Sequence, residues 1–397
     1  MKFNICVIGL GYVGLPLATR FASKGFNTSG FDIKKSKVQK LKKGLDDEKI
    51  LTKSEIKNLK KVKFLSNLPR NGFSKATIYI VTVPTPINSN KLPDMEPLLN
   101  ASSMIGKYVN KGDIVVYEST VYPGATEETC IPRILESSVK RGIKKINYGY
   151  SPERINPGDR NNTLEKIIKV VSGNNKKTTN ILSQVYGEII DAGIHVTETV
   201  REAEATKIIE NIQRDLNIAL MNELDQIFYC ENIKTTNVIE AAATKWNFMN
   251  VKPGLVGGHC IGVDPYYMIF KSRSLGIEPN LINGARVVNE GYLDHIYLRT
   301  IEKIFLKNTK LNNKKILFWG YTFKPDCNDI RNSKALELFS KLKKVIPHIE
   351  KFDPLIDKST PEDVKIILVC TQHENYMNKI LEQFPKINKE NIILCME

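Results

Sequence analysis

The strongest constraint on this chain's fold is a glycine spacing near its N-terminus. Gly9, Gly11 and Gly14 stand directly behind the apolar run Phe3–Ile8 and ahead of a helix-forming stretch. The GxGxxG spacing says little alone; between a strand and a helix it is specific. The glycines allow a tight turn and let backbone N–H groups approach a pyrophosphate at the helix N-terminus. A chain that opens this way commits to a βαβ unit and to a parallel sheet. Asp32 follows the next apolar stretch, Thr28–Phe31, near the ~20-residue offset at which a carboxylate meets the ribose of a dinucleotide. There it accepts from the 2′-hydroxyl and repels a 2′-phosphate, which favours NAD over NADP. Lys34 and Lys35 pull the other way, since a cation accommodates that phosphate.

Short apolar runs alternate with helical patterns through the first half, as in a βα series. Strands are expected at Phe3–Ile8, Thr28–Phe31, Thr77–Thr82, Ile114–Tyr117, Asn147–Tyr150 and Ile167–Ser172, with a last one near Ile194–Val196. Glu202–Cys230 contains neither Gly nor Pro and reads as a long amphipathic helix; further helical runs cover Thr235–Thr244 and Pro279–Leu306. A Lys/Asn-rich stretch at Asn308–Lys314 marks a boundary. Beyond it, strands at Lys315–Trp319, Lys365–Cys370 and Ile392–Leu394 and a helix at Ser333–Val345 make a small second α/β unit. The expected fold class is α/β: two Rossmann-like parallel-sheet lobes joined by a central helical region with a long helix, divided as 1–197, 198–307 and 308–397.

Composition narrows the class. With 397 residues, 42% hydrophobic and 25% charged, the chain suits a soluble protein of more than one domain. No apolar run approaches the ~20 residues that span a bilayer, so no membrane insertion is expected. Phe3–Ile8 reads as a strand and not a signal peptide. Seven cysteines without a CxxC pair suit a reduced, cytoplasmic protein with no structural metal. The net charge of +15 raises nucleic acid as a partner. The lysines are scattered along helices without interleaved aromatics, so no nucleic-acid partner is expected; the same field would steer an anionic nucleotide.

Chemistry concentrates elsewhere. Cys260 lies in PGLVGGHCIGVDPYYM, Pro253–Met268, among Gly257, Gly258 and Gly262 and four residues before Asp264. Most cysteines are small core residues. Three glycines, a His and an Asp make poor core, but a good loop for close approach to a thiol. If the segment is helical, Asp264 shares a face with Cys260. A nucleophilic thiol beside a hydride acceptor can hold an aldehyde covalently and oxidise it to an acid. In VTVPTP, Val81–Pro86, the prolines fix a rigid loop at a strand's carboxyl end, and EST at Glu118–Thr120 faces the same crevice, with helix capping by Ser119 and Thr120 as the alternative.

These segments closely resemble the UDP-glucose/GDP-mannose dehydrogenase family over nearly the whole length. The resemblance rests on the glycine turn Gly9–Gly14, Val81–Pro86, Glu118–Gly124, Ser151–Gly158, Glu204–Asn211, the Cys260 segment, and Phe323–Ser333. NPGD after PER, and TKWNF ahead of the cysteine segment, resemble the branch acting on UDP-N-acetylhexosamines (UDP-GlcNAc or UDP-GalNAc).

The resemblance implies a four-electron oxidation of the sugar's 6-hydroxymethyl group to the uronic acid, for surface polysaccharide synthesis. It passes through a thiohemiacetal and thioester on Cys260 and consumes two NAD. Lys207 would stabilise the oxyanion, with Asn211 one turn on. Asp264 would hold water or act as base, Thr120 would order the water, and Glu153 would move protons. Gly9, Gly11, Tyr12, Val13, Gly14, Asp32, Pro84, Thr85, Thr120 and Arg331 would meet NAD; Glu153, Arg154, Lys207, Asn211, Gly257 and Lys324 would meet a UDP-sugar. Residues 1–197 would be the NAD-binding domain, 198–307 a dimerisation domain carrying the cysteine, and 308–397 the UDP-sugar domain of a homodimer or higher homo-oligomer.

Two departures stand out. Some relatives carry a second glutamate where this chain has Pro157, and the third lobe is short between Asp353 and His373, so an element is expected to be missing there. The alternatives are UDP-glucose or GDP-mannose as substrate, a two-electron hydroxyacid dehydrogenase with no use for Cys260, and a basic binding protein. A surface pair with Asp326 or Asp329 is the competing reading of Lys324 and Arg331.

Overall fold

The computed structural model describes residues 3–48, 50–155, 162–306 and 315–396. The chain forms two compact units, Met1–Glu210 with Tyr266–Leu275, and Asn211–Pro265 with Gly276–Glu397.

In the first unit β1 (Asn4–Ile8) leads into α1 (Gly14–Ser23), β2 (Thr28–Phe31), α2 (Lys35–Lys42), the short α3 (Lys53–Ile56), β3 (Val62–Leu65), β4 (Thr77–Val81), α4 (Glu96–Gly106), β5 (Ile114–Tyr117), α5 (Ile131–Ser138), β6 (Asn147–Tyr150), β7 (Lys169–Gly173), α6 (Lys176–Gly187) and β8 (Ile194–Val196). The strands make one sheet in the order β3-β2-β1-β4-β5-β6-β7-β8. β1 to β6 run parallel; β7 joins β6 antiparallel, and β8 follows β7 in parallel. Every residue of β1 and β4 is buried, as in a parallel sheet covered on both faces by helices. The order 3-2-1-4-5-6 is doubly wound. It reverses between β1 and β4, so the ligand crevice lies at the carboxyl ends of those strands.

A long helix, α7 (Val200–Cys230), follows, then α8 (Thr235–Ala242), α9 (Asp264–Ser274) and α10 (Asn280–Leu306). The second sheet is built from β9 (Lys315–Trp319), β10 (Ile349–Phe352), β11 (Val364–Val369) and β12 (Ile392–Leu394), with α11 (Lys334–Val345) and α12 (Tyr376–Gln383). Its strands are all parallel in the order β10-β9-β11-β12. Alternation along β9 divides the core of this unit. Ile316 and Phe318 join Leu338 and Tyr292 on one face, while Leu317 and Trp319 join Ile380 and Phe384 on the other.

The chain thus has two parallel-sheet lobes and a long central helix, as expected. Two strands, β3 and β10, were not expected; both are edge strands with charged residues at exposed positions. The connection 353–363 carries no helix. Among the described residues no helix is long and apolar enough to cross a membrane, and no cluster suits a metal ion. Pro157 lies outside the described residues.

Candidate functional site

Each glycine of the N-terminal turn has its own physical reason. Gly9 has φ +93, in the left-handed region, and its N–H donates to the Phe31 carbonyl at 2.8 Å. A Cβ on Gly14 would sit 1.9 Å from the Gly9 oxygen, so α1 could not pack against the turn. A Cβ on Gly11 would meet nothing within 4 Å: this glycine faces open space, where a phosphate can approach. The first turn of α1 holds no acidic residue, which leaves its N-terminus suited to an anion. Tyr12 and Val13 lie half-buried on the same turn. The Asp32 carboxylate is fixed by the Leu10 N–H on Oδ2 (3.0 Å) and the Lys34 N–H on Oδ1 (2.9 Å). Lys34 and Lys35 are exposed. These residues fit NAD, whose adenosine ribose Asp32 would hold.

The loop after β4 is clamped from its neighbour. Ser119 Oγ donates to the Val83 carbonyl at 2.6 Å, so this hydroxyl braces the proline loop and does not cap a helix. Pro84 is exposed, and Thr85 and Thr120 are half-buried, at the carboxyl ends of β4 and β5. Tyr267 adds a hydrogen bond to the Pro86 carbonyl at 3.0 Å.

Beneath these loops lies an ionic cluster that the sequence reading missed. Lys169 Nζ donates to Glu118 Oε2 at 2.9 Å and to Glu153 Oε2 at 3.0 Å, and Tyr186 donates to Glu118 Oε1 at 2.5 Å. All are buried. Burial pushes Glu118 up despite Lys169. Burial also acts to raise Glu153, but the Lys169 ammonium, the Ile155 N–H and Lys207 outweigh it and hold Glu153 below its ordinary value. Burial disfavours the charged form of Lys169, yet the two glutamates raise it above the usual lysine range. Glu153 Oε1 accepts the N–H groups of Arg154 and Ile155, both at 2.7 Å. With its carboxylate so engaged, Glu153 can carry a proton only if this cluster loosens. One signal was available: Lys169 stands directly ahead of the apolar Val170 and Val171 in its strand, and a buried cation demands counter-ions.

On α7, Lys207 and Asn211 stand one turn apart. Lys207 Nζ donates to the main-chain carbonyl of Glu153. Asn211 Nδ2 donates to Asp264 Oδ2 at 2.5 Å. Arg154 is held by Glu210 at 2.7 Å and by the Ile168 carbonyl at 3.0 Å. Glu204, further back on α7, accepts the Gly124 and Thr126 N–H groups and is pushed up to about 7 by burial.

Cys260 is exposed, while Cys6, Cys130, Cys327, Cys370 and Cys395 are buried. Burial pushes the Cys130 thiol up to about 12, which removes it from nucleophilic chemistry. The loop around Cys260 is docked onto the segment before α11. Gly258 (φ +81) donates its N–H to the Asn332 carbonyl at 3.2 Å, and Asn332 Nδ2 returns a bond to the Gly258 carbonyl at 3.2 Å. A Cβ on Gly257 would lie 2.6 Å from the Asn332 oxygen, and one on Gly258 would lie 2.8 Å from the Phe323 ring. The helix starts at Asp264, not at Cys260; a single turn, Asp264 N–H to the Cys260 carbonyl at 2.8 Å, connects them. Asp264 is buried beneath the exposed thiol's turn.

His259 Nε2 lies 3.3 Å from Asp329 Oδ2. Asp329 also takes the Arg331 guanidinium through both oxygens, at 3.0 and 2.6 Å. Arg331, expected on the cofactor phosphates, therefore makes the ion pair that was its competing reading. Lys324 Nζ lies 5.6 Å from the Phe323 ring centroid.

The comparisons with known proteins agree along the chain. Residues 3–190, 201–291 and 317–397 match the NAD-binding, central and UDP-binding domain models of one family. The chain is 42% identical to the UDP-N-acetyl-D-glucosamine 6-dehydrogenase of Salmonella typhi, over 98% of this chain and 93% of that protein. It is also 42% identical to protein CapL of Staphylococcus aureus, over 95% and 91%. Among solved structures, a UDP-D-ManNAc dehydrogenase from Pyrococcus horikoshii is similar with a TM-score of 0.86 and 27% identity, covering 98% of this chain and 93% of that one. The chain therefore belongs to the UDP-glucose/GDP-mannose dehydrogenase family and binds NAD in its N-terminal domain.

Proposed function

We propose that this protein oxidises the 6-hydroxymethyl group of a UDP-N-acetylhexosamine to the uronic acid, through a covalent intermediate on Cys260. The observation that carries the reading is an exposed thiol on a loop locked by Asn332, one turn ahead of the buried Asp264, which the half-buried Asn211 holds by a hydrogen bond. The substrate class is supported by the names of the relatives at 42% identity. Gly9, Gly11, Tyr12, Val13, Gly14, Asp32, Pro84 and Thr85 would hold NAD, which would supply the hydride acceptor for both oxidations.

The chain's own residues supply the rest. The primary alcohol would first give up a hydride and, to solvent, its hydroxyl proton, leaving the aldehyde. Cys260 Sγ adds to the aldehyde carbon, its proton passing to the alkoxide oxygen. The resulting thiohemiacetal gives up a second hydride and, again to solvent, its hydroxyl proton, leaving the thioester. Water then adds, the C–S bond breaks, and the thiol and carboxylate are released. Lys207 places an ammonium where the oxyanion develops, and Asn211 donates beside it. Asp264, fixed by Asn211, is the base that takes a proton from water. Thr120 orders that water. Glu153 holds Lys207 through its carbonyl. Arg154, Gly257 and Lys324 border the UDP-sugar, and Arg331 keeps its role toward phosphate as a proposal. The division 1–197, 198–307 and 308–397 gives NAD-binding, central and UDP-sugar domains. The central helices make a homodimer, and the acidic sugar feeds a surface polysaccharide.

The test is NADH release from the purified protein against UDP-GlcNAc, UDP-GalNAc, UDP-ManNAc, UDP-glucose and GDP-mannose, with product mass measured. Two equivalents of NADH per N-acetylhexosamine and a uronic acid product are expected, with acid formation lost in Cys260→Ala. One equivalent per sugar sinks the thioester route, and turnover confined to UDP-glucose or GDP-mannose sinks the substrate class.

A further inference from the structure

Lys169 stands at the start of β7 and is 2% exposed. A buried ammonium is tolerated only where charges and hydrogen bonds compensate it. Here Glu118, Glu153 and the face of Tyr186, 5.5 Å away, surround it. The arrangement does more than satisfy one cation. Glu153 uses Oε2 for Lys169 and Oε1 for the N–H groups of its own turn. The turn's conformation, and so the direction of the Glu153 carbonyl, is thereby tied to Lys169. That carbonyl is the acceptor for the Lys207 ammonium. On the other side, Glu118 immediately precedes Ser119, whose carbonyl accepts from Tyr150 at 3.0 Å and whose hydroxyl braces the loop after β4.

We infer that Lys169 is a positioning residue for Lys207, acting through the carboxylate and then the carbonyl of Glu153. The inference rests on the reading of Lys207 as the oxyanion's cation. A displacement of about 1 Å at such a group lowers turnover on the order of 100-fold.

The experiment compares Lys169→Met, Lys169→Arg, Glu153→Gln and the Lys169→Met/Glu153→Gln double variant in the full chain. Each is measured for kcat, KM and pH profile with the sugar the wild type prefers, and for NAD affinity. Lys169→Met is expected to lower kcat roughly 10- to 100-fold with NAD affinity unchanged, and Lys169→Arg to recover most of it. The groups facing the site are Glu118, Glu153, Tyr186 and Lys207. Without Lys169, Glu153 gains its proton at higher pH, so the acid limb of kcat moves up. The double variant should match Glu153→Gln, because both act on one chain of contacts. A folded Lys169→Met with wild-type kcat and pH profile overturns the inference. Should Lys169→Met alone not fold, a further tenfold drop from Glu153→Gln to the double variant overturns it, and equal kcat supports it. Competitive acetylation read by peptide mass spectrometry needs no substrate. Lys207 should react several-fold faster in the Lys169→Met and double variants than in the wild type, other lysines being unchanged, and an unchanged rate overturns the inference. A wild type inert toward every nucleotide sugar instead refutes the proposed function, and the acetylation result still decides on Lys169.

Discussion

His373 is bound at both ring nitrogens. The Asp326 N–H donates to Nδ1 at 2.9 Å, so the ring proton sits on Nε2 and is shared with Asp353 Oδ2 at 3.1 Å. Asp353 also accepts the N–H groups of Tyr321, Thr322 and Leu355. One carboxylate thus joins the ends of β9 and β10 to the loop after β11, at the carboxyl ends of the second sheet's strands, the side on which ligands bind in such folds. Burial pushes Asp353 up, but the hydrogen bond from His373 and the backbone donors outweigh it, and the net direction is down. A lowered carboxylate adds stability that is present above its unfolded value and lost as pH falls through its folded value. Asp353→Asn should therefore lower the unfolding free energy at neutral pH by about 1–3 kcal/mol. The gap to the wild type should shrink below about pH 4. Denaturant titrations from acid to neutral pH measure this, and a gap constant with pH would refute the ionic account.

At the scale of elements, the glycine turn separates two effects that sequence conservatism would merge. Gly14→Ala forces a Cβ to 1.9 Å from the Gly9 oxygen and should destabilise the first unit by about 1–3 kcal/mol. Gly11→Ala meets no protein atom within 4 Å, so it should leave thermal unfolding unchanged while weakening NAD at least tenfold. Thermal unfolding and calorimetric NAD titration decide; a Gly11→Ala that binds NAD normally would remove that glycine from the phosphate site. The same elements show what could be read beforehand. Strands buried on both faces, such as Ile114–Tyr117, are continuous apolar runs and are legible. Val62–Leu65 and Ile349–Phe352 are edge strands that keep Lys63, Glu350 and Lys351 in solvent, so no such run marks them. The contacts of Asn211 with Asp264 and of the Cys260 loop with Asn332 belong to motif segments that the sequence singles out, because the residues of each motif stand adjacent or one turn apart. Of the Lys169 cluster only the lysine ahead of an apolar stretch leaves a local signal; its partners Glu118 and Glu153 lie 51 and 16 positions away, and only the fold brings them together.

At the scale of the whole molecule, the second unit leaves apolar side chains in solvent. Val287, Leu298 and Phe305 on α10 are 73%, 64% and 66% exposed, and Leu220 and Ile227 on α7 are 53% and 51% exposed. At about 100° per residue, the spacings along each helix return to nearly the same azimuth, so each helix presents a stripe and not scattered residues. Stripes of this kind belong to interfaces. A second copy of the chain is the occupant this prediction names, because two-fold pairing would set a stripe against its own equivalent. The charge argument bears on this. Each chain carries +15, so like copies repel at long range, and apolar burial would have to outweigh that repulsion. Added salt screens that repulsion and should leave the dimer intact or tighten it, opposite to the behaviour of an assembly held by ion pairs. Light scattering should therefore give twice the 45.0 kDa chain mass, stable to salt. Val287→Asp with Leu298→Asp should bring it to the single-chain mass without loss of NAD binding. A wild type that runs as one chain at all concentrations would leave these stripes without the partner argued for them.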